Sequence, residues 1–197
     1  MRSGKPVWAL IGMMAVVGGG VLLAQEGEMS AEMAAMDEAM AKAAAPGAAH
    51  EYLAQFEGTW RAQMRMFVGG ETLEGRGTAR SEMVLGGRFL QTTFKGELMG
   101  QNFIGMGLDG YDNVEQKFVS TWADTNGTMI VMLEGEQAED GEARSMSGSY
   151  TDPVSGKKKQ TRSEIKIVST NRYTYEVWEK AGRGGFEKTM QIIFSRQ

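Results

Sequence analysis

The sequence predicts an all-β protein, an antiparallel up-and-down barrel of about ten strands carried behind two N-terminal helical segments. Three observations predict it. From Gly58 onward apolar and polar residues alternate with period two, the pattern of strands with one buried face. Residues that tolerate positive φ or form tight hairpins recur every ten to fifteen positions or so. Finally, a meander of hairpin-linked strands has two open edges, and closure into a barrel removes both.

The N-terminus reads differently. Arg2 and Lys5 precede an apolar run from Val7 to Ala24, with small residues near its end, before the chain turns polar at Gln25. This is the pattern of an export signal over residues 1–24, and residues 7–24 are also just long enough to serve as an uncleaved membrane anchor. The expected location is therefore periplasmic or secreted, or attached to the membrane by that helix. No cysteine follows the run, which excludes a lipid-modified lipoprotein. Removal of Arg2 and Lys5 would take the formal charge from −4 to −6.

Residues 25–47 form an Ala/Met-rich helical segment and linker, with helix formers from Glu28 to Ala45 and a stop at Pro46-Gly47. Met29, Met33, Met36 and Met40 share one helical stripe. A thioether site for Cu(I) is one reading of the stripe. An apolar contact seam fits better, because nothing beside it in the segment completes a metal site.

The barrel domain occupies residues 48–197. It opens with a short helical turn, roughly Ala48 to Phe56, carrying Tyr52, Leu53 and Phe56 on one side. Strands are expected at 58–68, 71–84, 87–98, 101–111, 116–124, 128–136, 142–151, 157–168, 172–180 and 185–196. Their dividers include Gly69-Gly70, Met99-Gly100, Asp112-Asn113 and Asn126-Gly127; the last also matches a glycosylation sequon, but Asn-Gly is a hairpin signal first. Gly96, Gly105, Gly107 and Gly148 fall inside strands, where tight sheet coiling accounts for them.

Alternation assigns faces. Phe118, Ser120, Trp122 and Asp124 share one, as do Phe103, Gly105, Gly107, Asp109 and Tyr111, and as do Phe186, Lys188, Met190, Ile192, Phe194 and Arg196. Each such face is apolar or aromatic with a few polar groups, and a binding cavity has that character. Ten strands also enclose more room than the eight that just hold side chains or one small ligand.

Gly58-Thr59-Trp60, opening the first strand after a helical turn, resembles the Gly-x-Trp signature of lipocalins and other calycin-type barrels. Arg196 completes that resemblance, which implies an arginine packed over the tryptophan to close one end. A wider set of motifs follows in order: His50 with Leu53, Leu85-Gly86-Gly87-Arg88-Phe89-Leu90, Gly105 with Gly107, Gly110-Tyr111-Asp112, Trp122 with Asp124, Tyr150-Thr151-Asp152-Pro153 with Gly156, and Arg196. Together they resemble the bacterial domain of unknown function 1579 family. The resemblance implies a calycin-like barrel and no established activity. The haem-binding nitrobindin barrel also has ten strands and a Gly-x-Trp opening, but it takes a proximal histidine from late in the barrel. The single histidine here, His50, precedes the first strand, so the sequence argues against haem and no cofactor is expected. Tyr173 or Tyr175 could ligate iron in principle, although core and rim roles are commoner for tyrosine.

Composition excludes further chemistry. Without cysteine and with one histidine, disulfides, thiolate sites and multi-histidine metal sites within the chain are ruled out, so no metal is expected. A net charge of −4 and a pI near 5.2 argue against nucleic acid. The one basic run, Lys157-Lys158-Lys159, reads as a solvated turn. A Ser-His-Asp triad would need His50, and no Gly-x-Ser-x-Gly elbow is present. Asp109 and Asp124 are the candidate catalytic pair, an acid and a base of a hydrolase or isomerase if both point inward, against a turn-capping role for Asp124. Arg88 and Arg162 could clamp a carboxylate, with exterior salt bridges the commoner use. On balance the sequence favours a binding protein over an enzyme. The expected ligand is small and largely apolar with a polar or acidic head, walled by Trp60, Phe89, Phe103, Tyr111, Trp122 and Tyr175. An envelope-interaction protein using the methionine helix is the remaining alternative, and oligomeric state is left open.

Overall fold

The structure, a computed structural model, describes residues 22–197 except 140 and 183, and only the backbone of residues 22–29. The signal or anchor segment expected at residues 1–24 therefore lies almost wholly outside the described residues. Two helices, α1 (Leu22–Ala44) and α2 (Ala48–Ala54), precede ten strands. These are β1 (Gly58–Val68), β2 (Glu71–Val84), β3 (Phe89–Leu98), β4 (Gln101–Asp112), β5 (Lys117–Asp124), β6 (Val131–Gln137), β7 (Ala143–Thr151), β8 (Lys158–Ser169), β9 (Arg172–Lys180) and β10 (Phe186–Arg196). The chain divides into two compact units, one ending at Ala41 and one spanning Lys42–Gln197. In the first, α1 is helical from Leu22, the first described residue, and Met33, Met36 and Met40 are exposed along it. Among the described residues no helix is long and apolar enough to cross a membrane.

The ten strands pair antiparallel in sequence order, and β1 pairs with β10 to close the barrel. Nine of the ten begin and end within two residues of expectation; the exception is β6, which starts at Val131 rather than 128. Its delay has a local cause. Thr125 keeps pairing with β4 past the end of β5, its amide donating to Ile104 O (2.9 Å) and its Oγ1 accepting from Ile104 N (3.1 Å), so the chain turns back later than Asn126-Gly127 implies.

A second departure is a bulge in β10. Lys188 pairs with Trp178, but Met190 pairs with Val177, so one residue of β10 is left over between them. The bulge shifts the phase of the strand. Met190, Ile192 and Phe194 share the inward face with Val177, Tyr175 and Tyr173, whereas Phe186 and Lys188, expected on that face, pair with Lys180 and Trp178 on the outer one.

One end of the barrel is plugged. Helix α2 lays Tyr52, Leu53 and Phe56 into an aromatic core with Trp60, Phe118, Tyr173 and Phe194, all buried. Phe56 meets Tyr173 edge-on at 5.0 Å, Trp60 meets it at 4.8 Å, and Tyr173 stacks on Phe194 at 4.4 Å. Arg196 then covers the Trp60 ring at 4.1 Å and donates to the carbonyls of Gln55, Glu57 and Thr170. Gly58 is needed here twice over. Its φ of +121° suits only glycine, and a Cβ would lie 2.7 Å from Arg196 Nη1.

Asn113 and Arg88, the latter from the family-like Leu85-to-Leu90 motif, hold the helical approach to the plug. Asn113 Nδ2 donates to the carbonyls of Ala43 (2.9 Å) and Ala45 (2.8 Å), and Arg88 Nε donates to Ala44 O (2.8 Å). The carbonyls left unpaired where a helix ends are thereby satisfied. Arg88 is thus a helix-end ligand, neither the carboxylate clamp nor the exterior salt bridge that its sequence context suggests. His50 likewise acts locally. Its Nδ1 accepts from Gly47 N at 3.0 Å, and burial, with the Arg88 charge second, lowers its pKa.

Candidate ligand-binding site

Register decides which side chains look into the barrel. Starting from buried Phe94, the pairings carry the inward face through Gly105, Asp124 and Trp122 to Ser120, Asp109 and Leu90. On the opposite wall it runs through Arg144, Met146 and Tyr150 of β7, Lys159, Thr161, Ser163 and Ile165 of β8, and Tyr175, Val177 and Glu179 of β9. Most inward residues of the plugged half are buried, among them Trp60, Leu90, Phe118, Tyr173 and Phe194. Farther along, inward residues including Thr92, Ser120, Trp122, Ile165 and Tyr175 keep accessible surface although they face away from solvent. Accessible surface thus persists along part of the interior, while Met64, Phe94, Met146, Thr161, Ser163 and Ile192 are buried at the same height.

At the open end a pocket of about 490 Å³ is bounded by Met66, Val68, Val177 and Met190 on its apolar side. Its polar side is a connected group. Tyr150 OH donates to Glu179 Oε1 at 2.6 Å, and Lys159 Nζ donates to Glu179 Oε2 at 2.8 Å while standing 3.4 Å from Asp152 Oδ2. Desolvation, reinforced by the Glu179 hydrogen bond, raises the Tyr150 phenol; the bond to Glu179 raises Lys159. Asp152 is held down to about 2, chiefly by the Ser155 amide and hydroxyl that it accepts from. Lys159 is therefore no part of a solvated basic turn: Lys158 and Lys159 lie in β8, and Lys159 is an inward, paired rim group.

A second polar group lies deeper. Arg144 is 2% exposed; its Nη2 donates to Asp109 Oδ1 at 2.7 Å, and its guanidinium faces the Phe118 ring at 5.2 Å. Among the described residues its Nε and Nη1 have no acceptor, and neither has the buried Tyr52 hydroxyl a partner. The Tyr175 phenol, on the same wall as Ser163, is raised by desolvation. Among the described residues no group of three or more His, Asp or Glu side chains is placed to hold a metal ion.

The residues singled out from sequence fall into different places. Phe103 and Trp122 are inward and half-buried; Phe94 stacks with Phe103 at 5.5 Å and meets Trp122 at 6.4 Å, making one aromatic wall. Gly105 lies directly beneath the Trp122 ring, and Gly96 abuts Phe94 and Phe103, so these glycines make room for rings rather than simply letting the sheet coil. Tyr175 is on the facing wall. Tyr111 is inward but at the plugged end, edge-on to Phe118 at 4.9 Å. Trp60 is sealed in the plug, its Nε1 donating to Phe56 O at 2.8 Å, a placement that serves closure and gives no ligand wall. Phe89 is also misplaced as a wall: it pairs with Gly110 one residue out of phase with inward Leu90 and Asp109, and its ring covers Gly110 on the outer face.

The two carboxylates share the inward face, yet they do not form a catalytic pair. Asp109 pairs with Ser120 and Asp124 with Gly105, four residues apart along β4, or about 13 Å of strand. Asp109 is engaged by Arg144, and Asp124 accepts from Trp122 Nε1 (2.9 Å) and Asn126 N (2.8 Å), the turn-capping alternative. Arg162 lies outward, 3.9 Å over the Phe186 ring. The residues sequence reasoning missed are Arg144, Lys159 and Glu179, together with the inward role of Tyr150; their signal was only the alternation Arg144, Met146, Gly148, Tyr150, in which no apolar face stands out.

Comparison with known proteins agrees with this architecture. The profile of a family described as a protein of unknown function (DUF1579) matches residues 45–196. No curated protein matches the sequence. Among solved structures, the crystal structure of Rv2717c from M. tuberculosis is 14% identical with a TM-score of 0.56, covering 78% of this chain and 99% of that one. A de novo designed fluorescence-activating β-barrel is 15% identical with a TM-score of 0.44, covering 77% and 100%.

Proposed function

Because the chain belongs to the DUF1579 family, whose function is unknown, its activity has to be argued from its own cavity, and we propose that it is an exported, calycin-like barrel that holds a small, largely apolar ligand. The observation that carries this reading is the open-end pocket of about 490 Å³. Its volume suits a small molecule, and it sets an apolar wall against a few convergent polar groups, the usual composition of a ligand site. Plugging one end by α2 leaves the other for entry. The aromatic wall of Phe103 and Trp122 and the facing Tyr175 extend the apolar surface inward from the mouth. Residues 1–24 supply export, with an uncleaved anchor in the membrane as the alternative outcome.

Native mass spectrometry of freshly purified protein tests the ligand, with solvent extraction of whatever is bound. The expected result is a small-molecule adduct that a Val177→Trp substitution, filling the pocket, removes without unfolding the barrel. A protein that carries no adduct and takes up no apolar dye in its wild-type form sinks the reading. Cell fractionation with N-terminal sequencing of the mature protein tests the export.

A further inference from the structure

The Arg144 side chain is unusual for a buried guanidinium. A charge so far from water is ordinarily held by partners on all its N–H groups, because each buried donor without an acceptor keeps its desolvation cost. Here only Nη2 is engaged, by Asp109, while Nε and Nη1 have no acceptor and almost no accessible surface. The Tyr52 hydroxyl, on the plug helix and packed on the same Phe118 ring, is unpartnered as well. Three unmatched donor groups thus gather at the plugged end of the barrel interior. Asp109, on the inward face, keeps 15% of its side chain exposed, against 3% for its partner Arg144.

An arginine offers only donors, so what completes it is an oxygen acceptor. The charge around it specifies which kind. Arg144 is already balanced by Asp109, and at the mouth Lys159 is balanced by Glu179. A carboxylate entering this interior would bring an unmatched negative charge, with no further inward cation among the described residues to meet it. A carbonyl oxygen satisfies the same donors at no such cost. We propose that Arg144, with the Tyr52 hydroxyl, anchors the carbonyl oxygen of an uncharged head group, a ketone, ester or amide, on the apolar ligand held in the barrel. The anchor rests on the ligand-binding reading above and adds the head-group chemistry to it.

The test uses the full-length protein and three probes with similar tails: 2-undecanone labelled at its carbonyl carbon, 2-aminoundecane and decanoate. Affinities are read from tryptophan fluorescence, and the carbonyl stretch of the bound ketone from infrared difference spectra. The expected result is that the ketone binds about tenfold or more tightly than the amine, which presents a cation to unmatched donors. Its carbonyl stretch should lie below the value in an alkane solvent. In the double variant Arg144→Met with Asp109→Leu, which leaves no lone buried charge, both the discrimination and the shift should disappear while the tail still binds. Equal binding of ketone and amine, or an unshifted carbonyl, overturns the anchor and leaves the ligand-binding reading standing. Decanoate binding more tightly than the ketone overturns the uncharged class. Failure of all three probes, with no adduct in native mass spectrometry, removes the ligand-binding reading and the anchor with it. If the double variant does not fold, the wild-type comparisons decide alone.

Discussion

The guanidinium of Arg196 lies 4.1 Å from the centre of the Trp60 ring and at the same time donates to the carbonyls of Glu57 (2.6 Å) and Gln55 (3.0 Å). One side chain thereby ties β10 to β1 and to the end of the plug helix. A lysine keeps the charge but loses the planar fork that makes these contacts together. Arg196→Lys is expected to lower stability by about 1–3 kcal/mol in denaturant unfolding, through lost charge-assisted bonds to carbonyls. A variant as stable as wild type would show that the closure does not depend on guanidinium geometry.

Gly105 and Gly135 separate two kinds of crowding. A Cβ at Gly105 would collide with the Trp122 ring, which can swing toward the accessible interior; a Cβ at Gly135 would collide with the Ser145 carbonyl, part of the neighbouring strand. Gly105→Ala is expected to cost about 1–3 kcal/mol and to change tryptophan emission, as overpacking at a yielding side chain does. Gly135→Ala should cost more and prevent the β6–β7 pairing from forming in its present register. Thermal unfolding of the two variants ranks them, and the reverse order would contradict the assigned faces.

The ion pair of Arg144 and Asp109 should behave asymmetrically. Arg144→Met leaves a carboxylate with its partner gone and is expected to destabilise by about 3–5 kcal/mol. The double change with Asp109→Leu should recover most of that loss. Urea unfolding of the single and double variants supplies the coupling, and additive losses would mean the two groups act independently.

Four of the five tyrosines have raised phenol pKa values, with desolvation the first cause in each; Tyr52 is pushed up to about 12. The folded state holds these protons more tightly than the unfolded chain, where a phenol titrates near pH 10. Their contribution to stability is therefore fully present below about pH 10 and is lost as the pH rises toward the folded values. An alkaline titration followed by phenolate absorbance and circular dichroism should show ionisation arriving together with unfolding. Stepwise ionisation of a folded protein below pH 10 would contradict it.

Much of the barrel was legible because its turns and alternation are local. Gly69-Gly70 and Met99-Gly100 each sit between residues that pair directly across the hairpin, and the Gly58-Trp60 opening with Arg196 carries the closure. What alternation leaves open is which face of a strand looks inward. In β3, Phe89 and Phe94 lie on opposite faces, so counting aromatics does not choose between them, and only the pairing with β4 does. In β10 the bulge at Lys188–Met190 reverses the phase without any glycine or proline to announce it. Arg144 is one arginine in a run of serines, and Lys159 is one of three consecutive lysines. Their significance lies in partners on other strands, Asp109 and Glu179, at separations that no short pattern encodes.

The closure has a consequence for biosynthesis. Trp60 belongs to the first strand of the barrel and Arg196 to the last, so the two meet only after every intervening hairpin has left the ribosome. Until then β1 has one unpaired edge and the aromatic plug lacks its lid, and contacts so distant in sequence form slowly. A nascent chain of this design stays open until its tenth strand has emerged, and until then the edge of its first strand is exposed to mispairing.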